Sequence, residues 1–365
     1  MELDPKYDHY DFPTTSVDAR PGHAGHLNAT QQAQVHQLRL MLESAGYTER
    51  LDTLTLLRFL RARGKGKGDA KQWDVEASKN MFIKSEEWRK KITIREYNTK
   101  EHRLLSLDEN PSTNPPAEPL KLDEQVRTWD RDGKFKAGLS KYYKQFYHKT
   151  DKDGRPCYFE ILGGVNLEQL NKAGYTNDKM LLNLAVEYEK MADPRLPACS
   201  RKAGHFLETS CTILDIANVR LSKTEIMPYF TQSSEMSSDN YPERLGKLFV
   251  INSTRLQRGL WWVLSNLLDP VTVSKIQVLG SDYKDTLLKH IPAENLPKMF
   301  GGECECEGGC ELSDAGPWHE EQWRRPAWWE KDEEEESKEE KREEEEKKEE
   351  EAAEAVVAAP SEAIA

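Results

Sequence analysis

Apolar residues are scarce in this chain: 37% of its 365 residues are hydrophobic, against 32% charged. No stretch of about 18 uninterrupted apolar residues occurs, so no segment reads as a membrane span. The N-terminus is polar and acidic and has no apolar run of the kind a secretory leader needs. Cysteine is equally sparse. Cys157, Cys199 and Cys211 are scattered, and Cys304, Cys306 and Cys310 are clustered late. That spacing gives no disulfide framework for a chain of this size, and the expectation is a reducing, cytoplasmic protein with any membrane contact peripheral. A Gly-x-Ser-x-Gly elbow is missing, and no acid pair or metal set stands in a convincing context. Neither an enzyme nor a cofactor is expected.

Two features imitate sites without meeting their chemistry. Cys304-x-Cys306-x3-Cys310 offers three thiolates with no close fourth ligand, a weak zinc signal even with His319 nearby. A flexible, metal-free thiol-rich loop is the expectation. Gly64-x-Gly66-x-Gly68 lacks both the preceding strand and the Lys-Ser/Thr of a phosphate loop, so it reads as an exposed basic loop.

Negative charge is abundant, but it is unevenly placed. The chain carries −12 overall. From Lys331 onward there are 16 Asp/Glu against 6 Lys/Arg, which leaves the preceding body at −2. The acidity therefore belongs to a Glu/Lys tail that cannot bury a core. It does not describe the working surface, which remains compatible with docking on anionic lipid.

Residues 1–26, rich in Pro, Gly, His and Asp, read as disordered or draped. An all-helical unit follows over 27–97. Its first helix could be capped by Thr30, its second runs Leu51–Arg63, and its third Asp74–Lys91. The proline-containing stretch 98–132 reads as a loop or insert. Over 133–325 strands alternate with helices, which argues a mixed, mainly parallel α/β sheet flanked by helices. Asp153-Gly154 marks a hairpin between two β-rich runs, and further strands fall at 206–215, 247–252 and 275–279. Helices are expected at 177–193, 223–237 and 255–268, with a short one inside 287–300. Residues 326–365 form the acidic low-complexity tail.

Within 205–280, small hydroxyls, one acid and one lysine sit among apolar neighbours. That composition suits the wall and polar floor of a lipid-sized cavity. Several long phrases support the same idea: Leu56-Leu-Arg-Phe-Leu-Arg-Ala-Arg63, Tyr147-His-Lys-Thr-Asp-Lys-Asp-Gly-Arg-Pro156, Arg195-Leu-Pro-Ala-Cys-Ser200, Glu208-Thr-Ser-Cys-Thr212, Tyr241-Pro-Glu-Arg244, Asp269-Pro-Val-Thr-Val-Ser-Lys275 and Ile291-Pro-Ala-Glu-Asn-Leu-Pro297. Through them the chain resembles, over roughly residues 25–325, the fungal secretory phosphatidylinositol/phosphatidylcholine transfer proteins, which carry the CRAL-TRIO lipid-binding domain.

The resemblance implies a monomeric carrier that swaps one phospholipid for another at a membrane and gives lipid kinases access to phosphatidylinositol, on Golgi or endosomal surfaces. No nucleic-acid partner is implied. Carried over by motif, Arg63, Glu243, Thr272 and Lys275 would hold the inositol phosphate, and Tyr147, Tyr158, Ser210 and Thr212 the phosphocholine. Lysine and arginine neutralise phosphate, carboxylate and hydroxyl meet inositol hydroxyls, and tyrosine faces attract a trimethylammonium. Ser210 and Thr212, two apart on a strand, share a face. Where such proteins have a Pro/Phe/Gly-rich gate, this chain reads Ser253-Thr-Arg-Leu-Gln-Arg-Gly-Leu-Trp-Trp262. Gly259 is the candidate hinge there, and Trp261 and Trp262 suit the headgroup level of a bilayer. The alternative cargo on the same fold is a sterol, squalene or tocopherol-like molecule.

Overall fold

The computed structural model describes residues 2–65, 72–91, 97–98, 103–104, 121–219, 227–266 and 270–330. The Gly66–Gly68 part of the basic loop and the tail from Lys331 lie outside them.

Helices α1 (Ala29–Ser44), α2 (Thr53–Ala62) and α3 (Val75–Lys90) form the N-terminal unit, with the two-residue strands β1 (Gly64–Lys65) and β2 (Gln72–Trp73) paired between the last two. Asn28, not Thr30, caps α1: its side chain accepts from the Gln31 N–H, and the Gln31 side chain returns to the Asn28 N–H. This reciprocal box satisfies two orphan donors, which a cap at Thr30 would leave unpaired. Leu38, Leu42, Leu56, Leu57, Leu60 and Phe82 meet in a dry core, each side chain worth about 1.5–3 kcal/mol of burial. Residues 2–28 lie over this unit rather than away from it. Asp8 accepts from the Thr53 N–H at 2.7 Å, the Phe206 N–H donates to the Thr15 carbonyl at 2.9 Å, and Phe12 stacks on Phe206.

Strands β3 (Tyr97–Asn98) and β4 (Arg103–Leu104) pair within the expected insert. The insert is not all loop: α4 (Leu122–Thr128) occupies its end. Asp123 and Glu124 suit the helix N-terminus, and Leu122 and Val126 supply a buried stripe. The preceding prolines hide this signal in a window average.

Helix α5 (Lys134–Leu139) leads into the sheet strands β5 (Lys144–Thr150) and β6 (Pro156–Ile161). Then come α6 (Leu167–Lys172), α7 (Asn177–Lys190), α8 (Leu196–Ala203), β7 (Ser210–Asp215), α9 (Met227–Asn240) and β8 (Leu245–Ile251). The unit closes with α10 (Arg255–Ser265), α11 (Pro270–Ser274), β9 (Ile276–Val278), α12 (Lys284–His290) and α13 (Cys310–Ser313). The strand at 206 begins four residues later than the sequence suggests: Phe206 packs into the N-terminal helical core, and Leu207 packs beside Tyr147, Tyr158 and α8.

The sheet order is β5-β6-β7-β8-β9. β5 and β6 are antiparallel, and every later pairing is parallel. Side chains alternate between its faces. Phe146, Cys157, Phe159, Cys211, Ile213, Phe249 and Ile251 pack on one face against Leu287, Ile291, Leu296 and Phe300. Cys304 and Cys310 belong to this same buried cluster. The thiol-rich segment is therefore not a free loop, a correction the sequence could not supply because the covering layer comes from distant residues.

Residues 2–325 are one compact unit; a second unit begins at Pro326. Within the latter's described residues, the Trp328 and Trp329 rings meet edge-on and the Ala327 N–H donates to Glu330.

Candidate functional site: one sheet face and its polar edge

The opposite sheet face carries the candidate phosphocholine residues. Tyr147 pairs in register with Tyr158, and Tyr158 with Thr212, so the three stand in a row across β5, β6 and β7. Ser210 lies two residues before Thr212 and is buried. The two tyrosine rings are 5.0 Å apart and tilted by 48°. Burial pushes both phenols well above their ordinary range, so both are neutral and able to donate. The Arg195 guanidinium sits 4.4 Å from the centre of the Tyr147 ring. It is held by Glu187 and Asp314, each at 3.0 Å. One face of Tyr147 thus already has a cation, which the sequence expectation did not include.

Further along this face, Glu160 accepts hydrogen bonds from Tyr143 and from Gln145, the latter at 3.3 Å. Burial raises the Glu160 carboxyl, and those bonds offset only part of the rise. This polar floor was missed in the sequence, where Glu160 sits in an ordinary β-rich run. Thr212, Leu214, Leu248 and Val250 are only half-buried. The middle of the face is therefore less fully packed than its reverse.

The candidate inositol-phosphate residues divide. Glu243 immediately precedes Arg244 and β8, Lys275 immediately precedes β9, and Ser210 opens β7. All three therefore gather at the N-terminal edge of the parallel strands. The Ser210 N–H donates to the Arg244 carbonyl at 2.9 Å. Lys275 Nζ lies 3.9 Å from Glu243 Oε2. Both line a cleft of about 250 Å³, together with Arg61, Arg155 and Glu208. Thr272 is exposed on α11, one turn before Lys275. Arg63 lines a different cleft, of about 420 Å³, with Lys84, Trp88 and Asp239. The structure does not bring it beside Glu243 and Lys275.

Arg61, two residues earlier in the same phrase, is the arginine in the Glu243–Lys275 cleft. It pairs with Glu208 at 2.7 Å. Burial opposes the Glu208 charge, but Arg61, together with Arg58 and Arg244, more than offsets it and holds the carboxyl below its ordinary range. Nε and Nη1 of Arg61 are buried without a partner, so the guanidinium keeps donors to spare. Helical spacing could have pointed to this residue, since Arg61 and Arg63 fall on different sides of α2.

Helix α10 follows the C-terminal end of β8. Thr254 and Gln257 cap it reciprocally, through Gln257 N–H to Thr254 Oγ1 at 3.2 Å and Thr254 N–H to Gln257 Oε1 at 2.7 Å. Leu256 and Trp262 are each 73% exposed, Val263 54% and Leu260 45%. Positions 256, 260 and 263 form one stripe along the helix, and Trp262 stands beside it. Trp261 is half-buried. Gly259 sits mid-helix, and a Cβ there would meet nothing within 4 Å. No steric need for glycine is visible at that position.

Among the described residues no helix is long and apolar enough to cross a membrane. The CRAL/TRIO domain family matches residues 140–302. The chain is 46% identical to a protein named Sec14 cytosolic factor from Schizosaccharomyces pombe, over 86% of this chain and 96% of that one. It is 43% identical to the SEC14 cytosolic factor of Kluyveromyces lactis, over 86% and 92%. A phosphatidylinositol/phosphatidylcholine transfer protein of Arabidopsis thaliana, SFH4, is 41% identical over 50% of this chain and 30% of its own.

Proposed function

Because the chain belongs to the Sec14 family of CRAL/TRIO-domain proteins, we propose that it is a phosphatidylinositol/phosphatidylcholine transfer protein. It holds one phospholipid against this sheet face and exchanges it at membrane surfaces, without making or breaking a covalent bond. The observation that carries this reading is the row Tyr147–Tyr158–Thr212 across three strands, beside half-buried aliphatic positions of the same face. Such a face suits acyl chains, and the row suits a zwitterionic headgroup.

In this reading the neutral phenols and the Ser210 and Thr212 hydroxyls donate to the phosphate. The choline ammonium approaches the Tyr158 and Tyr147 rings. Lys275 neutralises an inositol phosphate, Glu243 accepts from the ring hydroxyls, and Arg61 adds its spare donors from the same cleft. Thr272 lies close enough in sequence to join after a small movement of α11. Arg63 would reach the headgroup only from the neighbouring cleft. Helix α10 meets the bilayer through its exposed stripe, and exchange costs little when the incoming lipid replaces the contacts of the outgoing one. Phosphatidylinositol delivered in this way would support phosphoinositide synthesis by lipid kinases and secretory traffic at the cytoplasmic face of the Golgi.

The test is lipid extraction and mass spectrometry of the full chain after incubation with vesicles of phosphatidylinositol, phosphatidylcholine and a sterol. One glycerophospholipid per chain is expected. A bound sterol or isoprenoid in its place would overturn the reading and favour the alternative cargo.

A further inference from the structure

We propose that His148, Cys304, Cys306 and Cys310 form a structural zinc site on the sheet face opposite the candidate lipid surface. Their ligand atoms all lie within 4.8 Å of one another. Cys304 Sγ and Cys306 Sγ are 3.8 Å apart, and His148 Nε2 is 3.2 Å from Cys304 Sγ. A tetrahedral zinc with Zn–S about 2.3 Å and Zn–N about 2.0–2.1 Å places its sulfurs about 3.8 Å apart and a sulfur and nitrogen about 3.5 Å apart. The cluster needs only small shifts to reach that shape. None of the three cysteines is in a disulfide.

Local chemistry prepares each ligand. The antiparallel register of β5 shifts between Tyr147 and Thr150, and a bulge of this kind re-aims a side chain. His148, inside it, is fully buried beside the thiols. The Ser313 hydroxyl donates to the Cys310 carbonyl at 3.0 Å, so its oxygen is left to accept. His148 Nδ1, 3.1 Å from that oxygen, can then donate to it. In that tautomer a bare Nε2 lone pair faces the sulfurs, the outer-shell arrangement typical of metal-bound histidine. Gly308 and Gly309 have φ of 74° and 97°, and the Gly309 N–H donates to the Cys306 carbonyl at 3.0 Å. That left-handed turn, open to glycine at no steric cost, brings Cys310 back to the first two thiols.

Three ligands are buried and Cys306 is half-buried. Four protein ligands close the site, which is the structural rather than the catalytic pattern. The ion would fasten β5 to the segment around α13, 156 residues later in the chain. The fourth ligand is invisible in the sequence for the same reason: His148 lies next to a candidate lipid residue, far from the cysteines.

The test uses the reduced full chain, stripped with a chelator and titrated with Co²⁺. One equivalent should give a thiolate-to-cobalt charge-transfer band with tetrahedral d–d bands. One equivalent of Zn²⁺ should then bleach both. Cys306→Ser, a half-exposed position, should lose most of the charge-transfer intensity while its circular dichroism stays native. A wild-type chain with native circular dichroism that shows no thiolate band would overturn the proposal. So would an octahedral spectrum from carboxylates alone, a band unchanged in the variant, or mass loss of two hydrogens showing that the isolated protein holds an intramolecular disulfide.

Discussion

Arg89 reaches from α3 to Glu189 on α7 with two hydrogen bonds, at 2.6 and 3.0 Å, and to Asp123 on α4 at 2.6 Å. Tyr241 donates to the same Glu189 carboxylate at 2.8 Å. Burial opposes the Glu189 charge, but Arg89 and Tyr241 outweigh it and hold the carboxyl below its ordinary range. A depressed carboxyl contributes stability above the unfolded value and loses it as pH falls through the folded one. The contribution should be constant near neutrality and decline once the pH drops below about 4.3, where the unfolded chain takes up the proton first. Glu189→Gln should lower stability at neutral pH by about 3 kcal/mol, and its urea midpoint should fall less on acidification than that of the unaltered chain. Parallel declines would show that this pair does not carry the effect. Single residues such as Glu189 are the least legible part of the sequence. Their partners lie up to 100 positions away, and nothing local distinguishes a buried acid from a solvated one. Separation in sequence also hid Arg195 over Tyr147.

Elements were far more legible, because their causes are local. The helical stripe of Leu56, Leu57 and Leu60 gives α2 away, and Asp153-Gly154 gives the β5–β6 hairpin. Errors fell where a local cue pointed the wrong way. Prolines masked α4, and the cap on α1 proved to be Asn28, two residues before the expected Thr30. Helix α10 is the element whose sequence agrees with a helix but not with burial, since its stripe faces solvent. Leu256→Asp combined with Trp262→Ala should leave stability within about 0.5 kcal/mol, as expected of exposed positions. Each lost side chain removes about 1.5 kcal/mol or more of burial in a lipid interface. Vesicle co-sedimentation and transfer rate should therefore both fall by about tenfold or more. Unchanged transfer would place the membrane contact elsewhere.

At the scale of the whole molecule, the alternation of strands and helices implied a mixed, mainly parallel sheet, and that is the sheet observed. The division of labour between its faces was not legible. Period-two alternation says that two faces exist, but not which layer covers each. Seen in three dimensions, one face is closed by α12 and the cysteine segment, and the other buries Tyr147 and Tyr158 under α8 and Trp318 beside half-buried aliphatics. The N-terminal edge of the same sheet gathers Glu243 and Lys275. In the proposed reading these are the two headgroup sites, and they should be separable. The most direct test is vesicle-to-vesicle transfer of labelled phosphatidylinositol and phosphatidylcholine by the unaltered chain, by Lys275→Ala, and by Ser210→Ile with Thr212→Ile. The unaltered chain should move both lipids. Lys275→Ala should lose phosphatidylinositol transfer and keep phosphatidylcholine transfer, and the double variant should do the reverse. An unaltered chain that moves neither lipid, or variants that lose both activities equally, would contradict the account.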